Sequence, residues 1–362
     1  MTGVRLSAEA YQVPTDAPEG DGTLAWSATT LVLVRAEADG RTGIGWTYGP
    51  AAAVAVVTEL LAPVVVGLDP DDVPAAWTAM QRQLRNAGRP GVAGLALSAA
   101  DCAVWDLKAR RHDLPLARLI GTARRQVPVY GSGGFTTYDD EQQHRQLAGW
   151  AHEQGIPRVK IKIGESCGTE VGRDLARMAA ARRTIGDGVE LYVDANGAYQ
   201  RKQAIRVAHA AADLDVRWYE EPVSSDDLAG LGLVRDHVLP DVAAGEYGFD
   251  LVYFHRMAPY VDCLQIDVTR CGGISEFLRI AAVADAAGLQ VSGHCAPHQH
   301  LPVAAATPNL RHLEWFHDHV RIESMLFDGV QPATGGAARV PLDRPGNGVE
   351  FRADGAERYR VV

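Results

Sequence analysis

The sequence predicts an α/β protein whose main body is a parallel (β/α) barrel. Short apolar runs recur along the chain, and stretches rich in Ala, Leu and Arg with helical character lie between them. Acidic or basic side chains stand at the ends of these runs. Because a parallel barrel gathers the carboxyl ends of its strands around one mouth, residues distant in sequence would converge there. This organisation points to an enzyme.

Eight apolar runs are the predicted barrel strands. Val, Ile, Leu and Tyr dominate them, as expected of strands that are buried on both faces. Each interval fits one strand, one helix and two short loops. The runs are VPVYG from Val127, VKIKIG from Val159, LYVDANG from Leu191, RWYEEP from Arg217, VAAGE from Val242, CLQIDV from Cys263, LQVSGHC from Leu289 and RHLEWF from Arg311. Predicted helices between them include DLARMAAARRTI from Asp174, QAIRVAHAAADL from Gln203 and SEFLRIAAVADAAG from Ser275.

The 362-residue chain extends beyond the predicted barrel at both ends. The N-terminal part predicts three strands followed by helices, which is an α+β arrangement. We place an N-terminal α+β capping domain at 1–125, the barrel at 126–322, and a Gly- and Pro-rich segment that returns to the first domain at 323–362. The N-terminal strands are VRLSAEAYQV from Val4, TTLVLVRAEAD from Thr29 and TGIGWTYG from Thr42, and the helices are AAVAVVTELLAPVVVG from Ala52, DDVPAAWTAMQRQL from Asp71 and ALSAADCAVWDLKARR from Ala96.

Composition restricts the partners and the compartment. A formal net charge of −10 disfavours nucleic acid and acidic membrane surfaces, which both need a basic face. The longest apolar stretch, 51–68, contains Thr58, Glu59 and Pro63, so it predicts a buried helix rather than a membrane span. The first residues lack the apolar core of a signal peptide, and the five cysteines show no CxxC pairing. We therefore expect a cytoplasmic enzyme without disulfides.

Three acidic residues close three consecutive runs at equal spacing. Asp194, Glu220 and Glu246 are separated by 26 residues each (220 − 194 = 26 and 246 − 220 = 26). Three carboxylates at one barrel mouth repel each other, which raises their pKa values unless a cation neutralises them. Such an all-oxygen site suits Mg²⁺. Singly, each acid is as consistent with a surface or helix-capping role. Glu221 should point to the opposite face from Glu220, so only one of the two can be a ligand.

Lys160 and Lys162 alternate along one predicted strand, so both ammonium groups should face the barrel interior. Burial and their like charge would each favour the neutral amine. A lysine with such a lowered pKa can act as a base near neutral pH. The alternative is an amphipathic edge strand with solvated lysines, but Ile161 and Ile163 argue for a strand buried on both sides.

On the other side of the mouth, Asp267 ends the sixth run, His294 the seventh and Glu314 the eighth. Asp267 and His294 can form a dyad in which the carboxylate orients the imidazole. His294 with His298 and His300 would form an alternative zinc cluster, but the three acids already define a site for a hard metal. The glycines of YGSGGF have no following helix start and no P-loop lysine, which argues against phosphate binding.

With these residues in place, the chain resembles the enolase superfamily and, within it, the mandelate racemase subgroup, over nearly its full length. The resemblance assigns the base to Lys162 of VKIKIG and the metal to Glu220, not Glu221, of EEP. The remaining matching motifs are VDANG with Asp194, GE with Glu246, IDVTRCGGI with Asp267, GHCAPHQH with His294, LEWF with Glu314, and the helix LSAADCAVWDLKARR that leads into the barrel.

The resemblance implies a modified TIM barrel of the (β/α)7β type and Mg²⁺ held by Asp194, Glu220 and Glu246. It implies abstraction of the proton α to a carboxylate, with an enediolate stabilised by Mg²⁺ and by a protonated, hydrogen-bonding Glu314. Lys162 and the His294–Asp267 dyad would flank the substrate carbon on opposite faces, and either can be the base. Lys160, Asn196 and Glu314 would bind the substrate. A symmetric homo-oligomer is also expected.

The fate of the intermediate separates two hypotheses. With a β-hydroxyl, as in an acid sugar, its loss gives a 2-keto-3-deoxy acid, which makes the chain a dehydratase. Without one, reprotonation on the opposite face makes it a racemase or epimerase of a 2-hydroxy acid. The resemblance also implies that loops of the capping domain close over the mouth and set specificity, and here they would lie near Pro14–Gly22 and Trp46–Pro50. The first contains three acids and no basic residue, so an aldonate is as plausible a substrate as an aldarate.

Two rival classes use similar barrels. A metal-dependent amidohydrolase normally carries HxH at its first strand, where this chain has VYGSG. A barrel that binds a ligand without turning it over would not need Lys162 and His294 on opposing faces.

Overall fold

The computed structural model describes residues 3–362, and its N-terminal part is a three-stranded antiparallel sheet packed against helices. Alternate residues of the middle strand are buried on opposite faces, since Val32 and Val34 contact the helices and Leu31 and Leu33 contact the C-terminal segment. The strands are β1 (Arg5–Gly20), β2 (Ala25–Ala38) and β3 (Arg41–Tyr48). The helices are α1 (Ala52–Ala55), continued by a π-helical turn (Val56–Leu61), α2 (Ala62–Val65), α3 (Val73–Gln83), α4 (Val92–Arg111) and α5 (Leu116–Ile120).

Helix α4 lies directly on strand β3, because two glycines leave no side chain between them. A Cβ atom on Gly43 would stand 2.1 Å from the Leu107 nitrogen, and one on Gly45 would stand 2.3 Å from the Ala99 oxygen. Helix α4 is therefore almost wholly buried between the capping sheet and the barrel, where it contacts a barrel helix.

The two segments expected to be capping-domain loops lie mostly in strands, so the loop assignment is wrong except at residues 21–22 and 49–50, and their role in specificity stays a prediction. Strand β1 continues through Pro14 to Gly20, with a register shift between Pro14 and Glu19. Proline is tolerated there because β1 is an edge strand, whose outer side needs no N–H group for the ladder. Trp46 and Tyr48 belong to β3 and are buried. Only 21–24 form the hairpin turn.

The predicted barrel of eight parallel strands is confirmed, and the last strand pairs with the first to close it. A helix follows each of the first seven strands and packs on the barrel wall. The strands are β4 (Gln126–Gly133), β5 (Arg158–Lys162), β6 (Glu190–Asp194), β7 (Val216–Glu220), β8 (Asp241–Ala244), β9 (Cys263–Ile266), β10 (Gln290–Gly293) and β11 (Leu310–Phe316). The helices are α6 (Asp140–Ala148), α7 (Glu165–Gly168), α8 (Val171–Ile185), α9 (Arg201–Ala210), α10 (Leu228–Arg235), α11 (Leu251–Met257), α12 (Gly273–Ala286) and α13 (Pro297–Ala306), with a π-helical turn (Gly149–Glu153) and 3-10 turns (Ala212–Leu214, Ala258–Tyr260).

Inside the barrel, a layer of large side chains fills the level below the mouth. Tyr192 and Trp218 stand two residues before Asp194 and Glu220, so they share the inward face one layer deeper. Tyr130 completes the stack from β4. This packed floor leaves the next layer, at the carboxyl ends of the strands, to polar side chains.

Helix α14 (His317–Leu326) follows the eighth strand but packs on the capping sheet through Ile322 and Leu326. The chain then runs back over both bodies in strands β12 (Phe327–Asp328), β13 (Ala337–Arg339) and β14 (Glu350–Phe351), helix α15 (Ala353–Ala356) and a 3-10 turn (Glu357–Tyr359). Strand β13 pairs with β4, and the backbone N–H of Asn347 donates to Asp106 Oδ1 of α4 at 2.6 Å. The boundaries 1–125, 126–322 and 323–362 stay a prediction. Within residues 3–362, no helix combines the length and apolar character that crossing a bilayer requires.

Candidate active site

Asp194, Glu220 and Glu246 lie together at the carboxyl ends of three neighbouring barrel strands. Asp194 ends β6, Glu220 ends β7, and Glu246 follows β8 by two residues. One carboxylate oxygen from each lies within 4.8 Å of the others, and all three residues are buried. Gly245 makes the turn to Glu246 at a φ of 134°, where a Cβ would stand 2.3 Å from the Gln265 oxygen. The backbone therefore brings the third carboxylate into the cluster.

The donor set of this cluster fits Mg²⁺. All three donors are carboxylate oxygens, the type that this cation prefers. Glu246 Oε2 is buried and has no hydrogen-bond partner among residues 3–362. Its charged contact is His294 Nε2 at 3.4 Å, so a bound cation would supply the direct partner that this buried oxygen lacks. Asp194, Glu220 and Glu246 are thus the side chains that would hold the ion.

Glu221 does not follow the strand alternation that the sequence suggested. Strand β7 ends at Glu220, and Glu221 adopts a left-handed conformation with a φ of 38°. Its side chain is buried as well. Burial first, and then the carboxylate of Glu246, raise the pKa of Glu221 well above its ordinary value. Glu221 therefore adds a fourth carboxyl group beside the three of the cluster and does not face away from them.

Both lysines of β5 point into the barrel, as the alternation predicts. Lys160 is fully buried, pairs with Glu220 and lies 2.8 Å from Glu314 Oε1 and 3.6 Å from Asp194 Oδ2. Lys162 pairs with Asp194. A solvated edge strand is excluded, because β5 lies between two strands of a closed barrel.

The expected lowering of the lysine pKa values is wrong. Burial does lower the pKa of Lys160, but the carboxylates of Glu220, Glu314 and Asp194 outweigh it and raise that pKa well above its usual range. Burial likewise lowers the pKa of Lys162, but Asp194, Glu246 and Glu220 together raise it above its ordinary value. Like charge between two lysines is thus a smaller effect than the surrounding acids.

The pKa values of the carboxylates do not all shift in one direction. Burial raises the pKa of Asp194, but the ammonium groups of Lys162 and Lys160 lower it below its ordinary value. Burial raises the pKa of Glu220 to about 8, although Lys160 opposes this. The sequence predicted a general rise, which is wrong for Asp194 because the lysines neutralise much of its repulsion.

Asp267 and His294 form the expected pair. His294 Nδ1 lies 2.8 Å from Asp267 Oδ2, and Asp267 Oδ1 accepts hydrogen bonds from the backbone N–H and hydroxyl of Thr269, both at 2.7 Å. Burial lowers the pKa of His294, but Glu246, Glu314 and Asp267 together raise it. His294 Nε2 is left facing the cluster, 3.4 Å from Glu246 Oε2. The dyad therefore presents one ring nitrogen to the centre.

Glu314 lies at the level of the lysines, but its expected protonation is wrong. Burial raises the pKa of Glu314, yet Lys160 and His294 hold it well below its usual range. Its Oε1 accepts from the Ser132 hydroxyl at 2.6 Å, and its Oε2 accepts from the Cys295 backbone N–H at 2.9 Å. Glu314 is thus an ionised acceptor in this charge environment.

Asn196 lies above Asp194 in the loop after β6, with a φ of 45°. Its backbone N–H donates to Asp194 Oδ1 at 2.9 Å and so orients that carboxylate. The side-chain Oδ1 is buried without a partner among the described residues. Asn196 therefore has one polar atom available for a bound molecule, and its role as a substrate-binding residue stays a prediction.

The sequence analysis missed two residues that the structure brings to the site. Arg270 lies 3.6 Å from Glu246 Oε1 and 3.4 Å from Asp267 Oδ2. Cys295 Sγ lies 3.2 Å from His294 Nε2 and 3.3 Å from Glu314 Oε2. Arg270 lies in the same motif as Asp267, and Cys295 directly follows His294. Their closeness in sequence to these two predicted site residues was the one feature that could have indicated them.

The other two histidines of GHCAPHQH form buried hydrogen bonds within the fold. His298 Nδ1 lies 2.7 Å from Glu323 Oε2, and His300 Nε2 accepts from the Val268 N–H at 2.9 Å. Neither joins His294 in a group of metal ligands within residues 3–362. The zinc alternative therefore finds no support in this geometry.

Comparison with known proteins gives a full-length match. A 3,6-anhydro-alpha-L-galactonate cycloisomerase from Streptomyces coelicolor is 33% identical over 359 residues, which is 95% of this chain and 96% of the relative. The structure of a mandelate racemase/muconate lactonizing enzyme-like protein from Rubrobacter xylanophilus is 49% identical, covers 99% of both chains and has a TM-score of 0.96. That of L-talarate/galactarate dehydratase from Salmonella typhimurium, liganded with Mg and L-lyxarohydroxamate, is 27% identical, covers 100% of this chain and 93% of its own, and has a TM-score of 0.90.

Further relatives are named as arabinonate, gluconate or rhamnonate dehydratases and as hydrophobic dipeptide epimerases. The family described as mandelate racemase / muconate lactonizing enzyme, N-terminal domain, matches residues 10–121, and the family described as enolase C-terminal domain-like matches residues 142–355. The chain therefore belongs to the mandelate racemase and muconate lactonizing enzyme family of the enolase superfamily.

Proposed function

We propose that this protein is an Mg²⁺-dependent hydro-lyase that dehydrates an acid sugar to a 2-keto-3-deoxy acid. The observation that carries the proposal is the placement of Lys162 and His294 on strands β5 and β10, on opposite sides of a buried cluster of three carboxylates. Relatives named as arabinonate dehydratase and D-gluconate dehydratase, which match 89% and 93% of this chain, support the same chemistry.

Asp194, Glu220 and Glu246 would hold the metal ion. When bound, Mg²⁺ supplies positive charge that draws electrons toward the substrate carboxylate and so acidifies the α-carbon proton. The side chains of the protein then need only position the substrate and move protons.

Lys162 and His294 are the proposed proton-transfer residues. Asp267 fixes His294 Nδ1 at 2.8 Å, which leaves Nε2 to take or give a proton at the centre. One of the two bases removes the proton from carbon 2, and the C–O bond at carbon 3 breaks as the departing hydroxyl receives a proton and leaves as water. The resulting enol takes up one proton at carbon 3 and loses the proton of its carbon 2 hydroxyl to become the 2-keto-3-deoxy acid.

Lys160, Glu314 and Asn196 are the proposed substrate-binding residues. Lys160 is fully buried and charged, so its ammonium group would attract the substrate carboxylate. Ser132 and the Cys295 N–H fix the orientation of Glu314, which is therefore preorganised to accept a hydrogen bond from a substrate hydroxyl. Asn196 would use its unpartnered Oδ1 in the same way.

A cycloisomerase is the second candidate, and the full-length relative from Streptomyces coelicolor favours it. In a 3,6-anhydro sugar acid, the ring oxygen occupies the position of the β-hydroxyl. The same α-proton abstraction would then break the ring C–O bond and give an isomer without loss of water. A racemase or epimerase remains the third outcome, in which the opposite base returns the proton to carbon 2.

A screen of aldonates, aldarates and 3,6-anhydro sugar acids with Mg²⁺ tests these outcomes. Semicarbazide detects a keto product, and mass spectrometry separates loss of water from isomerisation. We expect a keto product from at least one acid sugar and none with Glu220→Gln. If every acid sugar stays inert to elimination while its α-proton exchanges with deuterated solvent, the racemase assignment replaces the dehydratase.

A further inference from the structure

A second group of ligand-type side chains lies outside the tricarboxylate cluster, where the capping hairpin meets the barrel. Asp16 and Glu19 belong to strand β1, and His317 is the first residue of helix α14. One donor atom from each lies within 4.8 Å of the others, and His317 Nε2 is 2.9 Å from Asp16 Oδ2. For comparison, adjacent ligands of a tetrahedral ion with bonds of about 2.1 Å stand roughly 3.4 Å apart.

Glu19 shows that this group is not satisfied by its protein neighbours. The residue is fully buried. Its Oε2 accepts a hydrogen bond from Trp26 Nε1 at 3.0 Å, but its Oε1 is buried with no hydrogen-bond partner in the described part of the chain. Burying a carboxyl oxygen without a partner costs free energy that a bound ligand would recover.

The local charges leave the group acidic. Arg321 is the nearby guanidinium, and it is already engaged by Asp318 Oδ1 at 2.6 Å and by the Pro14 carbonyl at 2.7 Å. Among the hydrogen bonds within residues 3–362, none joins Arg321 to Glu19, so the guanidinium does not satisfy Glu19 Oε1.

We propose that Asp16, Glu19 and His317 form a second metal site, for a borderline divalent transition-metal ion such as Zn²⁺. Two carboxylates and one imidazole differ from the all-oxygen cluster at the barrel mouth. Imidazole nitrogen suits Zn²⁺ and its neighbours in the transition series, whereas Mg²⁺ and Ca²⁺ favour oxygen donors. The two sites should therefore discriminate between the two classes of ion.

The site connects two parts of the fold. Asp16 and Glu19 come from the capping hairpin, and His317 directly follows the last barrel strand. Side-chain exposures of 46% for Asp16 and 26% for His317 give an ion access from solvent, while buried Glu19 anchors it. A bound ion would cross-link the hairpin to the barrel and add its binding free energy to the folded state.

Equilibrium dialysis with Zn²⁺ in a large excess of Mg²⁺, followed by metal analysis, tests the proposal. We expect Zn²⁺ to bind the wild-type protein and the Glu220→Gln variant equally at this site, because it does not use the tricarboxylate cluster. His317→Ala and Glu19→Gln should each weaken Zn²⁺ binding by about tenfold or more. His209→Ala, a change at an exposed histidine, is the matched control and should leave it unchanged.

Thermal unfolding gives a second measurement. Zn²⁺ should raise the unfolding midpoint of the wild type and of His209→Ala, but not that of His317→Ala. Because His317 is partly exposed, its alanine variant decides the matter even if Glu19→Gln does not fold. Absence of Zn²⁺ binding in excess Mg²⁺, or binding that survives His317→Ala, overturns the proposal. Neither result depends on which substrate the enzyme turns over.

Discussion

At the residue scale, the charge states in the barrel mouth belong to the whole set of side chains. Lys160 touches Glu220 and Glu314, and Lys162 touches Asp194, so each ammonium group depends on carboxylates from other strands. Burial alone would lower the pKa values of both lysines and favour the neutral amines. The surrounding carboxylates raise these pKa values and keep the lysines charged. Any event that neutralises Asp194 would therefore lower the pKa of Lys162 and make its amine available as a base.

Exchange of the substrate α-proton distinguishes the two proposed bases. Lys162 and His294 would face the bound substrate from opposite sides. Lys162→Ala should therefore slow exchange with deuterated solvent on one face of the α-carbon, and His294→Asn should slow it on the other face. Each should lower the affected exchange by roughly 10²–10⁴-fold, the usual contribution of one general base. NMR of the recovered substrate measures it. Lys202→Ala, at an exposed lysine, is the control. Equal and mild effects of both variants would remove both residues from the mechanism.

At the element scale, the capping hairpin shows what local sequence leaves open. The family resemblance predicts a loop at Pro14–Gly22, yet β1 continues to Gly20. The barrel holds the tip of the hairpin, because the Thr136 N–H donates to the Gly20 carbonyl at 2.9 Å and the Cys167 N–H donates to the Gly22 carbonyl at 2.8 Å. These partners lie more than a hundred residues away. No local propensity contains them, so the loop prediction failed for a tertiary reason.

The contact between helices α4 and α12 carries a pH-sensitive group. Asp101 of α4 is fully buried, and its carboxylate accepts from the Ser275 N–H at 2.9 Å and the Ser275 hydroxyl at 2.7 Å. Burial outweighs these hydrogen bonds and raises the pKa of Asp101 to about 7. An unfolded aspartate has a pKa of about 3.9, so folding favours the protonated form. Its contribution to stability is thus complete below about pH 4 and is lost as the pH rises to about 7.

Asp101→Asn should flatten this pH dependence. The amide keeps an oxygen acceptor for Ser275 and cannot ionise, so the variant should gain stability relative to the wild type by about 1.4 kcal/mol for each pH unit between the two pKa values. Urea unfolding across this pH range measures the difference. The exposed Asp226→Asn variant should follow the wild type. A difference between wild type and Asp101→Asn that stays constant with pH would refute the buried-carboxyl argument.

At the scale of the whole molecule, the fold and the positions of the site residues were predictable, and their charge states were not. The eight strands appear as apolar runs because both faces are buried, and barrel closure alone brings Asp194, Glu246 and His294 together. The protonation of Glu314 depends on Lys160, which lies 2.8 Å away on a strand two positions along the closed barrel, and no spacing in the sequence encodes that distance. The same limit hid Arg270 and Cys295, whose roles come from contacts and not from residue type.

The family resemblance also leads to an expectation about the oligomeric state. We expect a closed, symmetric homo-oligomer, because most soluble oligomers of identical chains have that form. Sedimentation equilibrium at several protein concentrations measures the mass, and the value should be an integral multiple of 38.9 kDa. A single monomeric species throughout the concentration series would contradict the expectation.

Metal removal tests the whole arrangement through stability as well as activity. Since Lys160 and Lys162 pair with the carboxylates in the structure, the chain should stay folded after treatment with EDTA. Activity should disappear and return with Mg²⁺.

Because the ion would bind only the folded state, Mg²⁺ at a hundred times its Kd should add about 2.7 kcal/mol to the free energy of unfolding. Differential scanning calorimetry measures the accompanying rise of the unfolding midpoint. Glu220→Gln, which removes one proposed ligand, should show a much smaller rise. Activity that survives chelation, together with a midpoint that does not respond to Mg²⁺, would remove the metal from Asp194, Glu220 and Glu246.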